Sequence, residues 1–204
     1  YRTQVPEITA ERWEQEHPLP RRGVVTREDY LRYIEETYPT QRDLYLPRAG
    51  DPDLKQQYLF ARREAFFYRV TGDEQHARNA MKFIRGDYAW WSTGKGAEQR
   101  VGFNVVVPAL EGYLWVKDSP SLTAEDHALV HDWMNLLESR AERFEFGAMN
   151  RSAGWATGRR LLALVWPDDP NTAERLEYAN TVWSQWWQQR DTFENAEGYN
   201  ALWW

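Results

Sequence analysis

Residues 68–80, "YRVTGDEQHARNA", set a glycine and an aspartate side by side between two helical patterns, and no other stretch restricts the fold as much. Glycine readily takes the left-handed conformation that ends a helix, and an aspartate side chain caps the free N–H groups that begin the next. A stop followed at once by a start leaves no loop, so the two helices must fold back on each other as an antiparallel hairpin. Upstream, "LKQQYLFARREAFFYRV" lays Tyr58, Leu59, Ala61, Ala65, Phe66 and Tyr68 along one broad stripe, and downstream "EQHARNAMKFIRGDYAWW" continues at helical spacing.

The same signals recur along the chain. Thr26 caps a helix over "REDYLRYIEETY", whose Tyr30, Tyr33, Ile34 and Tyr38 share a face, and "PTQRDLYLPRAGDPD" is expected to break it with proline and glycine. "EQRVGFNVVVPALEGYLWVKD" carries Pro108 inside a helical pattern, which predicts a kink there or a start nearby. Thr123 with Asp126 resembles a capping box that opens "AEDHALVHDWMNLLESRAERF". "GWATGRRLLALVW" is stopped by Pro167 and Pro170, Asn171 with Glu174 opens "AERLEYANTVWSQWWQQRD", and "NAEGYNALWW" starts one more helix. No stretch shows strand periodicity. The expected fold is all-α, built of antiparallel helical hairpins. Residues 1–26 read as an irregular, Pro- and charge-rich lead-in, and 27–204 as one helical-hairpin domain. Ending on "ALWW" is unusual for a solvent-facing terminus, so the domain is expected to continue past Trp204.

At 204 residues the chain can build one sizeable core. A net charge of −6 with no basic stretch argues against a nucleic-acid binder. Zero cysteines exclude disulfides and thiolate metal sites, and no apolar run is long enough to span a membrane. The chain opens on Tyr1 rather than methionine, so an upstream signal peptide or added segment is expected to have been removed. The 12 Trp and 11 Tyr are more than a helical core of this size ordinarily uses, and indole and phenol rings also stack on the C–H faces of sugars.

Candidate site residues follow from position. Asn150, Arg151, Ser152 and Trp155 gather at one helix start; Asn150 either caps that helix or reaches a ligand with its amide, leaving Ser152 to cap. Trp90, Trp91 and Trp155 lie near helix ends, where a cleft would open, whereas Trp183, Trp186 and Trp187 share a face that reads as core. Asn104 either satisfies backbone freed by Pro108 or faces a cleft. His127 and His131 stand four apart, but without an accompanying HExxH pattern no metal site is expected. His76, just after the turn, is expected to be exposed.

"FFYRVTGDEQHARNAMKFI" resembles the hairpin turn found throughout (α/α)-toroid carbohydrate-active enzymes. "MNRSAGWATGRRLLALVWPDDPNTAERLEYA" is similar to the segment of alginate lyases and heparinase II/III-type lyases in which Asn opens an inner helix, and "RDTFENAEGYNALWW" supplies an Arg and a Tyr in the order those families use. The resemblance covers residues 55–204 and implies part of an (α/α) toroid, an incomplete ring. It implies a polysaccharide lyase that breaks a uronate-containing chain (alginate, glucuronan or a glycosaminoglycan) by β-elimination. Asn150 would neutralise the sugar carboxylate as charge builds on it, and Tyr199 would remove the C5 proton and protonate the leaving oxygen. A phenol titrates near ~10, so the base role needs a cation such as Arg190 beside it. Arg151, Trp155, Asn104, Asn200 and Trp91 are the expected substrate contacts. Where the alginate-lyase pattern has His directly after Asn, this chain has Arg151, so Tyr199 works alone or a His comes from elsewhere. The partner is an anionic polysaccharide; no cofactor is implied, and the expected location is secreted or periplasmic. The alternatives are a hydrolase of the same architecture acting on unsaturated uronyl oligosaccharides and a non-catalytic helical scaffold. Asp191, Glu194 and Glu197 supply no obvious acid pair for the first of these.

Overall fold

In the computed structural model residues 26–141 and 149–189 are described, with Thr40, Gln41, Phe103, Met149, Asn150, Trp186, Trp187 and Gln189 as backbone only. Nearly all of the expected lead-in lies outside them, as do Arg190, Tyr199 and Asn200. The chain is all-α. Its helices are α1 (Arg27–Glu36), α2 (Tyr38–Tyr45), α3 (Gln57–Thr71), α4 (Glu74–Ser92), α5 (Phe103–Val116), α6 (Ala124–Ser139), α7 (Met149–Val165) and α8 (Thr172–Gln189), with a 3-10 turn at Leu46–Arg48. Among the described residues there is no strand, and the one extended contact is an isolated bridge between Val101 and Ala141.

The glycine–aspartate pair does what its order predicts. Gly72 ends α3 at φ 76° and donates its N–H to the Tyr68 carbonyl at 2.7 Å, and the Asp73 carboxylate accepts the Gln75 N–H at 2.8 Å. Nothing lies within 4 Å of where a Cβ would stand at Gly72, so Gly72→Ala carries backbone strain alone. We expect it to lower the unfolding free energy by about 1 kcal/mol in urea denaturation, with Gly72→Asn costing less. An unchanged midpoint for the alanine variant would show that the left-handed turn is not needed.

Thr26 and Thr123 both form reciprocal capping boxes, with Asp29 and Asp126 in the place usually taken by Glu. The break expected after Tyr38 is far shorter than the sequence suggests. Thr37 alone separates α1 from α2, and Pro39 falls in the first turn of α2, where its missing N–H has no intrahelical partner to lose. Pro108 neither starts nor ends α5, which runs through it from Phe103. The carbonyl left without its donor belongs to Asn104, which is exposed and open to water.

α3 packs on α4 and on α5, α4 on α6, α5 on α7, and α7 on α8. The shared core holds Trp133, Phe83, Met81, Ile84, Leu110, Met134, Leu137 and Leu162, all under 2% exposed or at it. α1 lies outside this core, docked by Tyr30 edge-on to Phe66 at 5.2 Å. α2 is tied in more firmly. Tyr38, buried, donates its hydroxyl to Glu64 of α3, whose other oxygen accepts from His76 Nδ1 at 2.7 Å and Asn79 Nδ2 at 3.2 Å. His76 is therefore buried rather than exposed. The tight turn swings the first turn of α4 back against α3, which brings position 76 onto Glu64.

Candidate functional site

α6, α7 and α8 enclose a cavity of about 450 Å³, a size suited to one small ligand. Helical spacing places its principal groups: Asn135 and Glu138 three apart on α6, Trp155 and Arg159 four apart on α7, and Arg175 and Tyr178 three apart on α8. Arg151 precedes Trp155 by the same interval of four, so it falls on the same side of α7, where it is exposed.

Two guanidinium groups meet there in different circumstances. Arg175 is 2% exposed and held from three sides: Nε and Nη2 reach Glu138 Oε2 at 2.8 and 2.7 Å, Nη2 donates to Asn135 Oδ1 at 2.7 Å, and Nη1 pairs with Asp169 Oδ2 at 3.2 Å, outside hydrogen-bonding geometry. Asp169 also takes His131 Nε2 at 2.6 Å and the Asn171 N–H at 2.8 Å. Burial works to raise its pKa, but the Asn171 N–H, His131 and Arg175 outweigh it and hold the carboxyl below its ordinary value. Arg159 is held loosely. Its Nε stands 3.2 Å from Glu138 Oε1, and its guanidinium lies over the Tyr178 ring at 4.2 Å. Burial pushes the Tyr178 phenol up, against a smaller pull from Arg159, so it is a neutral donor near pH 7 rather than a base.

Among the described residues, three buried donors on this wall, Trp155 Nε1, Arg159 Nε and Arg175 Nη1, have no acceptor in hydrogen-bonding geometry. Two of them, Arg159 Nε and Arg175 Nη1, keep a carboxylate oxygen at 3.2 Å as a misaligned ion pair. The cavity's accessible charge is the Arg159 guanidinium, 23% exposed, a group suited to pairing with an anion.

Of the candidate site residues that are described, Trp155 alone lines this cavity, and at 3% exposure it offers no open face; Asn171 and Glu174, read in sequence as a helix start, line it as well. Asn150 lies on the first turn of α7. Ser152, beside it, is buried. Asn104 is exposed at the start of α5, away from the cavity lining. Trp91 corrects the expectation of a sugar platform. With Trp90 it packs inside the core, edge to face at 4.6 Å and 5% exposed, and its indole helps to stabilise the buried Asp87 carboxylate. Being near the end of α4 did not put it at a cleft, because the 93–100 segment folds back over it and Gly96 closes on Trp90. His127 and His131 serve different partners, the Tyr113 hydroxyl at 2.9 Å and Asp169, and flank the stacked rings of Tyr113 and Trp166. Arg190, Tyr199 and Asn200 are outside the described residues.

Asn135, Glu138, Arg159, Arg175 and Tyr178 were not found from sequence. The i, i+4, i+8 recurrence of Arg151, Trp155 and Arg159 was the one available signal. The molecule is thus an all-α protein with a polar, donor-rich cavity between its last three described helices, in which no helix is long and apolar enough to cross a membrane. No protein family, curated protein or solved structure matches the chain.

Proposed function

We propose that the protein is a polysaccharide lyase of the (α/α)-toroid kind, cleaving a uronate-containing polysaccharide by β-elimination, with an acidic sugar seated against the α6–α8 cavity. The observation that carries this reading is Arg159 in the cavity lining, a guanidinium 23% exposed and held by Glu138 only through a misaligned Nε contact. A sugar carboxylate offers that guanidinium an acceptor in aligned geometry. Asn150, placed by the first turn of α7, neutralises the carboxylate of the sugar being cleaved. Tyr199 takes the C5 proton and returns one to the leaving oxygen, with Arg190 favouring its phenolate. Acid–base chemistry of this kind contributes roughly 10²–10⁴-fold.

The test is incubation with alginate, glucuronan and glycosaminoglycans while following the ultraviolet absorbance of a 4,5-unsaturated product. Wild type should generate it, and Tyr199→Phe should fold normally and generate none. Reducing ends released without that absorbance would replace the lyase by a hydrolase. No turnover on any of the polymers would leave a non-catalytic scaffold.

A further inference from the structure

Within the α6–α8 cavity the two arginines cannot play the same part. Arg175 is 2% exposed, with Nε and Nη2 bonded to Glu138 and Asn135 and Nη1 paired with Asp169, so no incoming ligand reaches its charge without dismantling buried pairs. Arg159 is 23% exposed and meets Glu138 through Nε alone, outside hydrogen-bonding geometry, with the remainder of its contact provided by the Tyr178 ring. Glu138 is pinned from the other side: Oε2 belongs to Arg175, which leaves Oε1 pointing toward Arg159.

We infer that Arg159 reads the carboxylate of the bound sugar and that Glu138 is its built-in substitute, holding the guanidinium until a ligand carboxylate takes it over; this rests on the reading that the cavity receives an acidic sugar. A carboxylate approaching Arg159 end-on, in the plane of the guanidinium, gains two parallel N–H···O bonds in place of one misaligned contact. Glu138 cannot retreat, because Arg175 fixes it, so its negative charge opposes the ligand at close range. The pair thereby sets specificity. A neutral sugar brings no charge to exchange for Glu138 and gains nothing from Arg159, whereas an acidic one displaces a weak contact with a strong one. Arg175 acts here as a positioning residue, through Glu138.

Calorimetric titration with trimers of β-1,4-linked mannuronate and glucuronate, each beside its neutral mannose or glucose counterpart, tests this. Glu138→Gln removes the competing charge while keeping an oxygen for Arg175, and it should bind an acidic trimer about tenfold more tightly than wild type. Arg159→Gln leaves the Arg175–Glu138 bridge in place and should weaken the acidic trimer by about tenfold or more. Neutral trimers should respond to neither change. Because a folding defect would scale both ligands alike, the acidic-to-neutral ratio separates recognition from damage. An acidic trimer that binds wild type but is indifferent to both variants, or is weakened by Glu138→Gln, overturns the inference and leaves the lyase reading standing. Failure of both acidic trimers to bind any of the three proteins removes the inference and the acidic-sugar reading together.

Discussion

Arg175→Met is expected to lower the unfolding free energy by about 3–5 kcal/mol, a large part of what holds a domain of this size together. Arg175 is as buried as the apolar core and joins three elements at once: Glu138 and Asn135 near the end of α6, Asp169 in the turn before α8, and α8 itself. Methionine keeps the apolar stem but removes the charge that Glu138 and Asp169 share, leaving Arg159 beside Glu138 and the His131 ring beside Asp169. Urea denaturation at pH 7 reads the loss directly. The sign of the pH dependence gives a second check. Asp169 is held below its ordinary pKa, so its contribution is present above the unfolded value of about 3.9 and lost as pH falls through the lower folded one. Without Arg175 that shift shrinks, and the acid limb of the stability curve should flatten. A loss under 1 kcal/mol, or an unchanged acid limb, would mean that the network is an ornament of the folded state rather than one of its supports.

Asp87 should give the opposite pH behaviour. It is fully buried on α4, and its Oδ1 accepts the Tyr58 N–H at 3.3 Å, so it caps α3 from the neighbouring helix where Gln56 offers no side-chain cap. Burial raises its carboxyl to about 7, against the Tyr58 N–H and the indoles of Trp91 and Trp133, which favour ionisation. Between the unfolded value near 3.9 and about 7 the native state keeps a proton that the unfolded chain releases. Raising pH through that window therefore favours unfolding; the stabilisation is complete below the window and gone above it, a span of up to about 4 kcal/mol. Asp87→Asn retains the acceptor for Tyr58 and cannot ionise. Its melts should match wild type below about pH 4 and exceed it by about 4 kcal/mol at pH 8. Because the two proteins differ at this position alone, the difference between their pH profiles isolates position 87. Equal stability of the two at pH 8 would place the titration of Asp87 elsewhere.

Much of the fold was legible because its signals are local. Gly72 followed by Asp73, and Thr123 with Asp126, act within one turn of backbone, and their geometry follows from the residues themselves. Tyr38 and Pro39 were misread for a related reason: a proline after a helix reads as a stop, but in the first turn of another helix it costs nothing. The site was less legible. Trp91 and His76 each sit near a helix end that promises exposure, and each is buried by residues distant in sequence: Trp91 packs into the core shared with Trp133 and Met134, and Glu64, across the hairpin, draws His76 inward. Asn150 could be named from its place at a helix start, whereas Glu138, Arg159 and Arg175 look in sequence like ordinary charges on helix faces.

What the sequence determined by itself was a set of helices and the direction in which neighbours turn, since caps, stops and apolar stripes are decided by residues at most a few positions apart. Which charges became buried was decided only by tertiary structure. Arg175, Glu138 and Asp169 meet because α6, the turn before α8 and α8 converge, and the energy of a desolvated ion pair depends on that convergence and on nothing encoded locally. The cavity beside them has the same origin, as the space left when three helices pack around a fixed ionic network.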